Sequence, residues 1–211
     1  MNPPRTVPLA ATVVRIGIVA PSRGRTPRSI HLSVTLASVL DEVFDQVPPP
    51  FRTPSWYRRP DGDSTTIVIP PAVPKSWVAA DLVGLLGQAL RRRNRHLNDY
   101  GRLRLRVAID HGDVVLRPPY FGGAAIARSA WLCEAEELKS ALAADPDSDQ
   151  LLIVSDAFYT EVVAEGDRDL DPQEFRQIVV PAGGGLEIGW LRARPDAGTG
   201  NTVADGGLAP G

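Results

Sequence analysis

Arg59-Pro60-Asp61-Gly62-Asp63-Ser64-Thr65-Thr66-Ile67-Val68-Ile69 is the stretch on which the reading of this chain turns. An extended-prone run, Phe51 to Tyr57, leads into it, and a β-branched run, Thr65 to Ile69, leads out. Between them Pro fixes φ, Asp can bond its own backbone and Gly supplies positive φ, so Pro60 to Asp63 predicts the turn of a hairpin. The plain reading is a surface hairpin. The alternative is that Asp63, leaving the turn at a sheet edge, serves as a metal carboxylate.

The chain on either side alternates helices with strands. Thr12 to Ala20 is β-branched and apolar and predicts a buried strand carrying Arg15. Ser29 to Gln46 has apolar residues at helical spacing and ends at Pro48-Pro49-Pro50. Lys75 to Asn98 repeats that spacing with Trp77, Leu82, Leu85, Leu86 and Leu90. Its basic end, Arg91 to His96, suits a helix C-terminus and reads as a solvated one, since no aromatic residues interleave. Leu103 to Ile109 alternates as a half-buried strand; His111 to Asp113 predicts a tight turn and Val114 to Arg117 a return strand. Ala124 to Ala144 reads as one long helix and Leu151 to Val154 as a short strand. Ser155 predicts a cap for a helix over Asp156 to Ala164. Pro172 to Phe175 reads as one helical turn. Ile178 to Val180 and Leu186 to Leu191 predict a terminal hairpin around Gly183-Gly184-Gly185. Hairpins alternating with helices imply an α/β (α+β), ferredoxin-like fold, with a mostly antiparallel sheet and helices packed mainly on one face.

The totals narrow the class. The 211 residues are 43% hydrophobic and 23% charged with net charge −2, which suits one soluble domain and no polyelectrolyte partner such as nucleic acid. The division expected is an irregular N-terminus over 1–11, a domain over 12–192 and a disordered tail over 193–211. Cys133 is the one cysteine, which excludes an intrachain disulfide and a cysteine-rich metal site and fits a reducing cytoplasm. A buried packing role is expected for it. No apolar run approaches the roughly 20 residues of a membrane span, and Arg15 interrupts the apolar stretch a signal peptide would need. His31, His96 and His111 show no metal-ligand spacing.

Four segments together carry a family resemblance: Gly62-Asp63 before an apolar strand, Leu103 to Val114, Gly123-Ala124-Ala125-Ile126 opening a helix that reaches Leu132-Cys133-Glu134, and Ile153 to Tyr159. In that order and spacing the chain resembles the catalytic domain of class III nucleotidyl cyclases, and in particular short standalone cyclase-like proteins of actinobacteria. The resemblance implies a pair of divalent ions, Mg or Mn, held by two carboxylates, which activate a ribose hydroxyl and neutralise a triphosphate. The first carboxylate falls at Ala20 or Pro21, and no acidic residue occurs before Asp41. The second matches Asp63. The purine-reading lysine matches Arg59 and its acidic companion Tyr120. With Gly123 as the anchor the ribose-orienting Asn matches Ala127 and the transition-state Arg matches Trp131; anchoring on Gly122 instead gives Ile126 and Ala130, and either choice loses both groups, while the phosphate-binding lysine of the last hairpin falls at Pro181 or Ala182.

The losses predict a catalytically degenerate domain, because electrostatic stabilisation is usually the largest catalytic contribution. The leading expectation is a regulatory or assembly module, a homodimer or a heterodimer with another cyclase-like chain, using Ala127 and Trp131 at its interface. A second is retained binding of a nucleoside triphosphate or cyclic nucleotide by Arg23, Gly24 and Arg25 after the first strand, with Arg59 and Arg128 nearby. A third is an active enzyme with a non-standard or partner-completed site, with Asp61, Asp63, Asp110 and Asp113 as its metal cluster.

Overall fold

In the computed structural model the described residues are 8–19, 26–53, 56–117 and 120–192. The tail from 193 and the loop of Arg23, Gly24 and Arg25 lie outside them.

Strand β1 (Leu9–Ile18) is an interior strand of the sheet, pairing antiparallel with β3 (Ser64–Ile69) over Thr12 to Gly17 and with β4 (Leu105–Arg117) along its whole length. With β2 (Tyr57–Asp61), β5 (Tyr120–Gly122), β6 (Gln150–Ser155), β7 (Phe175–Ala182) and β8 (Gly185–Arg192), the order is β2-β3-β1-β4-β6-β8-β7, with β5 folded back on β4. Among the described residues β4 and β6 form the one parallel pair. Both edge strands carry a proline, Pro60 on β2 and Pro181 on β7. A residue that cannot donate to a ladder blunts pairing with another chain there.

The larger core lies between one sheet face and α1 (Thr26–Asp45), α2 (Lys75–Trp77) and α3 (Val83–Asn94), where Ile16, Ile67, Val107 and Val154 meet Leu36, Leu40, Leu86 and Leu90. A π-helical stretch, Val78–Leu82, joins α2 to α3, and α6 (Asp156–Phe158) continues as a second π turn, Tyr159–Val163. On the opposite face α4 (Ala124–Cys133) and α5 (Glu136–Ala144) cover two smaller clusters, one around Leu138, Ile153 and Ile178 and one around Val13, Val114 and Ala125.

Four local expectations change. Strand pairing reaches further toward the first hairpin tip than the turn residues suggest: Pro60 and Asp61 pair with Thr65 and Ser64, so the turn contracts to Gly62-Asp63, with Gly62 at φ 61°. Among the described residues of the run Phe51 to Tyr57, only Tyr57 enters β2. The turn expected at His111-Gly112-Asp113 is absent, because β1 holds β4 straight from Leu105 to Val114. The helix expected over 124–144 breaks at Ala135, whose extended backbone (ψ 133°) re-aims α5 so that Leu138 and Leu142 reach the sheet. Glu134, at the break, pairs with the buried Arg106 at 3.0 Å. The Ser155 cap is present, accepting a hydrogen bond from the Phe158 N–H at 3.2 Å.

Candidate functional site

The hairpin delivers Asp63 to the end of β1: the Ile18 N–H donates to the Asp63 carbonyl at 2.9 Å. The carboxylate is exposed and has no side-chain partner among the described residues. Asp61, two residues earlier, is turned to Arg15 at 3.3 Å, and Arg15 also donates to Thr66.

The wider aspartate cluster does not assemble. Asp110 pairs in register with Val13, five residues along β1 from Ile18, so it lies roughly 16 Å from the Asp63 corner at about 3.3 Å per residue. Asp113 lies further along, opposite Ala10. Ligand oxygens must come within about 2.0–2.6 Å of a shared divalent ion. Among the described residues no three His, Cys, Asp or Glu side chains converge. A single exposed carboxylate, in no cluster of three ligating side chains among the described residues, does not fit a two-metal site.

Asp110 has a different use. It is fully buried on the α4 side of the sheet, where the Ser155 hydroxyl donates to it at 2.5 Å and Arg128 of α4 donates at 2.7 Å. Arg128 also reaches Glu187 of β8 at 3.4 Å. Burial alone lowers the Arg128 pKa, but the charge and hydrogen bond of Asp110, with Glu187, outweigh it and the net shift is upward. This network ties α4 to β4, β6 and β8. Its only sequence signal is the isolated pattern of an acid in an apolar strand and a base in an apolar helix.

Trp131 sits one turn after Ala127 on α4. Its indole lies over the β7–β8 turn, where a Cβ on Gly183 would come within 2.7 Å of the ring. Where the resemblance places base reading, the Arg59 guanidinium lies 4.7 Å from the Phe121 ring centre, and Tyr57 packs on the same ring at 5.4 Å. Tyr120 is 70% exposed. Arg59 and Tyr120 are therefore brought to one corner, with Phe121 between the stacked groups. Cys133 is buried, and desolvation pushes its thiol up to about 12.

Solved structures share this architecture over nearly the whole chain. An adenylate/guanylate cyclase/hydrolase from Silicibacter pomeroyi aligns over 89% of this chain and 98% of its own, with TM-score 0.54 and 14% identity. A bacterial light-regulated adenylyl cyclase aligns over 87% and 90%, with TM-score 0.55 and 10% identity. Adenylate cyclases of Trypanosoma brucei in their monomeric state align over 90% and 91%, with TM-score 0.54 and 13% identity. The fold is that of a class III nucleotidyl cyclase domain. No protein-family model matches the chain, nor does the sequence of any curated protein. Identity of 10–14% carries the cyclase fold and leaves the chemistry to the residues. Among the described residues no helix is long and apolar enough to cross a membrane.

Proposed function

We propose that this chain is a cyclase-fold domain without nucleotide cyclisation, working as a regulatory or assembly module that pairs with a second cyclase-fold chain. The partner is another copy of itself or a cyclase-like heteropartner, and the pairing face is the one bearing α4. The observation that carries this reading is the surface of α4. Where the resemblance places a ribose-orienting amide and a transition-state cation, the helix presents Ala127 and a partly exposed Trp131 held against the last hairpin. Tyr57, Tyr120 and Phe121 add exposed or half-exposed aromatic surface on the same side of the sheet. Aromatic anchors of this kind dominate protein interfaces, whereas none of them can neutralise a leaving pyrophosphate.

Sedimentation of the purified protein, alone and with Trp131→Glu, tests the pairing. A dimer at micromolar concentration that Trp131→Glu weakens supports it; a protein that stays monomeric at high micromolar concentration overturns the self-pairing form. Incubation with manganese and each nucleoside triphosphate tests the loss of turnover, and cyclic nucleotide product would overturn it.

The exposed Asp63 carboxylate favours a second reading, in which a nucleotide still binds at the β1 corner with Arg23 and Arg25, or in which a partner chain completes the site. Calorimetric titration with ATP and GTP, with and without manganese, separates these. Binding that survives chelation assigns it to the arginines, and binding that needs metal assigns it to Asp63.

A further inference from the structure

Helices α1 and α3 pack on one sheet face, so their outer surfaces look the same way. α1 follows the Ile18 end of β1 and α3 precedes Leu105, the residue paired with Ile18, so the start of α1 and the end of α3 share one edge of the molecule. Apolar side chains stand out there. Ile30 and Val34, one turn apart on α1, are 59% and 64% exposed, and Ala37 continues their stripe. Leu97 and Tyr100, just past α3, are exposed as well. Arg28 fastens their turn to α1, donating to the Tyr100 carbonyl at 3.0 Å with its guanidinium 5.1 Å from that ring.

Charge gathers at the same edge. Arg91, Arg93 and Arg95 are exposed and make no ion pair among the described residues, whereas Arg92 is committed to Glu42. A helix C-terminus favours a base in its last turn, and one arginine meets that need; three more exceed it. α1 carries its charges against its own dipole. Its first turn holds Arg28 and no acid, its last turn holds no base, and Asp41, Glu42 and Asp45 crowd the far end. At 1.5 Å per residue those acids begin about 20 Å from Arg28. In the sequence the end of α3 reads as a solvated terminus; the fold adds the apolar neighbours.

We infer that this edge of the helical layer is a docking surface for an anionic lipid leaflet. The arginines meet headgroup phosphates, which guanidinium suits. Ile30, Val34, Leu97 and Tyr100 enter the boundary between headgroups and acyl chains, and the acids of α1 point away from the negative surface. The aliphatic pair selects lipid over nucleic acid, which offers phosphates and bases but no hydrocarbon for Ile30 and Val34. Such a contact needs no spanning segment. It lies on the sheet face opposite α4, so pairing through α4 leaves it free and neither reading depends on the other.

Co-sedimentation of the full chain tests it, with vesicles of phosphatidylcholine and phosphatidylglycerol in equal parts against phosphatidylcholine alone. The mixed vesicles should bind saturably, at least about tenfold more strongly than the neutral ones, and less so as salt rises. One arginine near an anionic surface is worth about fivefold, so Arg93→Glu/Arg95→Glu should weaken binding by at least about 25-fold. Ile30→Ser/Val34→Ser should weaken it by at least about tenfold. All four positions are exposed, and urea midpoints near wild type confirm that the variants fold. Arg176→Glu, exposed on the edge strand β7, makes the same change in charge as Arg95→Glu and should stay within about twofold of wild type. No binding to mixed vesicles at millimolar lipid, equal binding to neutral ones, or an Arg176→Glu loss matching that of Arg95→Glu would each overturn the assignment. So would wild-type binding by Ile30→Ser/Val34→Ser, and a duplex oligonucleotide held more tightly than the vesicles would then mark the surface as one for nucleic acid.

Discussion

Replacing Arg128 by methionine puts the central polar network under the sharpest test. Asp110 is fully buried, and its carboxylate is served by Ser155 at 2.5 Å and Arg128 at 2.7 Å. Arg128→Met leaves that charge with a hydroxyl alone. Removing one partner of a buried pair costs about 3–5 kcal/mol, because the remaining charge stays desolvated. The bond to Glu187 adds little, being longer at 3.4 Å and with both side chains partly exposed. At about 2–4 °C per kcal/mol for a domain of this size, the melting temperature should fall by roughly 6–20 °C. Asp110→Asn keeps the shape, an acceptor for Ser155 and no charge, so Asp110→Asn/Arg128→Met should recover most of the loss. Urea unfolding of the four proteins gives the cycle, with an expected coupling of about 2 kcal/mol or more. An Arg128→Met midpoint within about 0.5 kcal/mol of wild type, or two single effects that simply add, would refute a buried pair here.

Three further outcomes follow from single positions. Gly123 opens α4 at φ 130°, where a Cβ would stand 2.3 Å from the Asp113 carbonyl oxygen. Gly123→Ala should therefore lose roughly 1–3 kcal/mol from backbone conformation alone and more from the clash, whereas Gly62→Ala, with open space around it, should lose only the conformational part; equal denaturation midpoints would contradict this. The His111 pKa is lowered by burial first and by Lys75 second. The unfolded chain thus binds the proton more readily, so stability is complete above about pH 6.5 and declines as pH falls toward the lowered folded value; in His111→Gln that slope should flatten. Cys133, with its thiol pushed up to about 12 by burial, should resist a thiol reagent at pH 8 until the protein unfolds, and rapid native labelling would count against its placement.

The sequence carried the element order because long periodic runs announce themselves: the apolar stripes of α1 and α3 and the strand β4 lie where their spacing puts them, although β4 is buried on both faces from Leu105 to Asp110 rather than half-buried, because helices cover both sides of the sheet there. It misplaced boundaries wherever tertiary pairing overrode local chemistry. Gly112 and Asp113 look like turn residues, yet β1 supplies the partners that keep them extended. Ala135 breaks a helix although neither glycine nor proline marks it. Asp63 was legible as a hairpin carboxylate, since turn and strand lie side by side in the chain. The Asp110–Arg128–Ser155 network was not, because its members are 18 and 45 positions apart and only the sheet register brings them together.

That network also bears on what α4 can do chemically. Arg128 lies only three residues from Trp131, close enough in sequence to suggest that a displaced cation could still serve a bound nucleotide. Turning it outward would strip Asp110 of its ion pair in a site with no exposure to water, a cost of about 3–5 kcal/mol. An exposed contact with phosphate returns less, since screened ion pairs contribute about 0–1 kcal/mol. The positive charge of α4 is thus committed to the sheet, and Trp131 is the side chain left facing outward. A helix arranged in this way holds its own domain together and offers an apolar surface. Restoring a cation at 131 would still leave Ala127, one turn before it, without the amide that the resemblance places there.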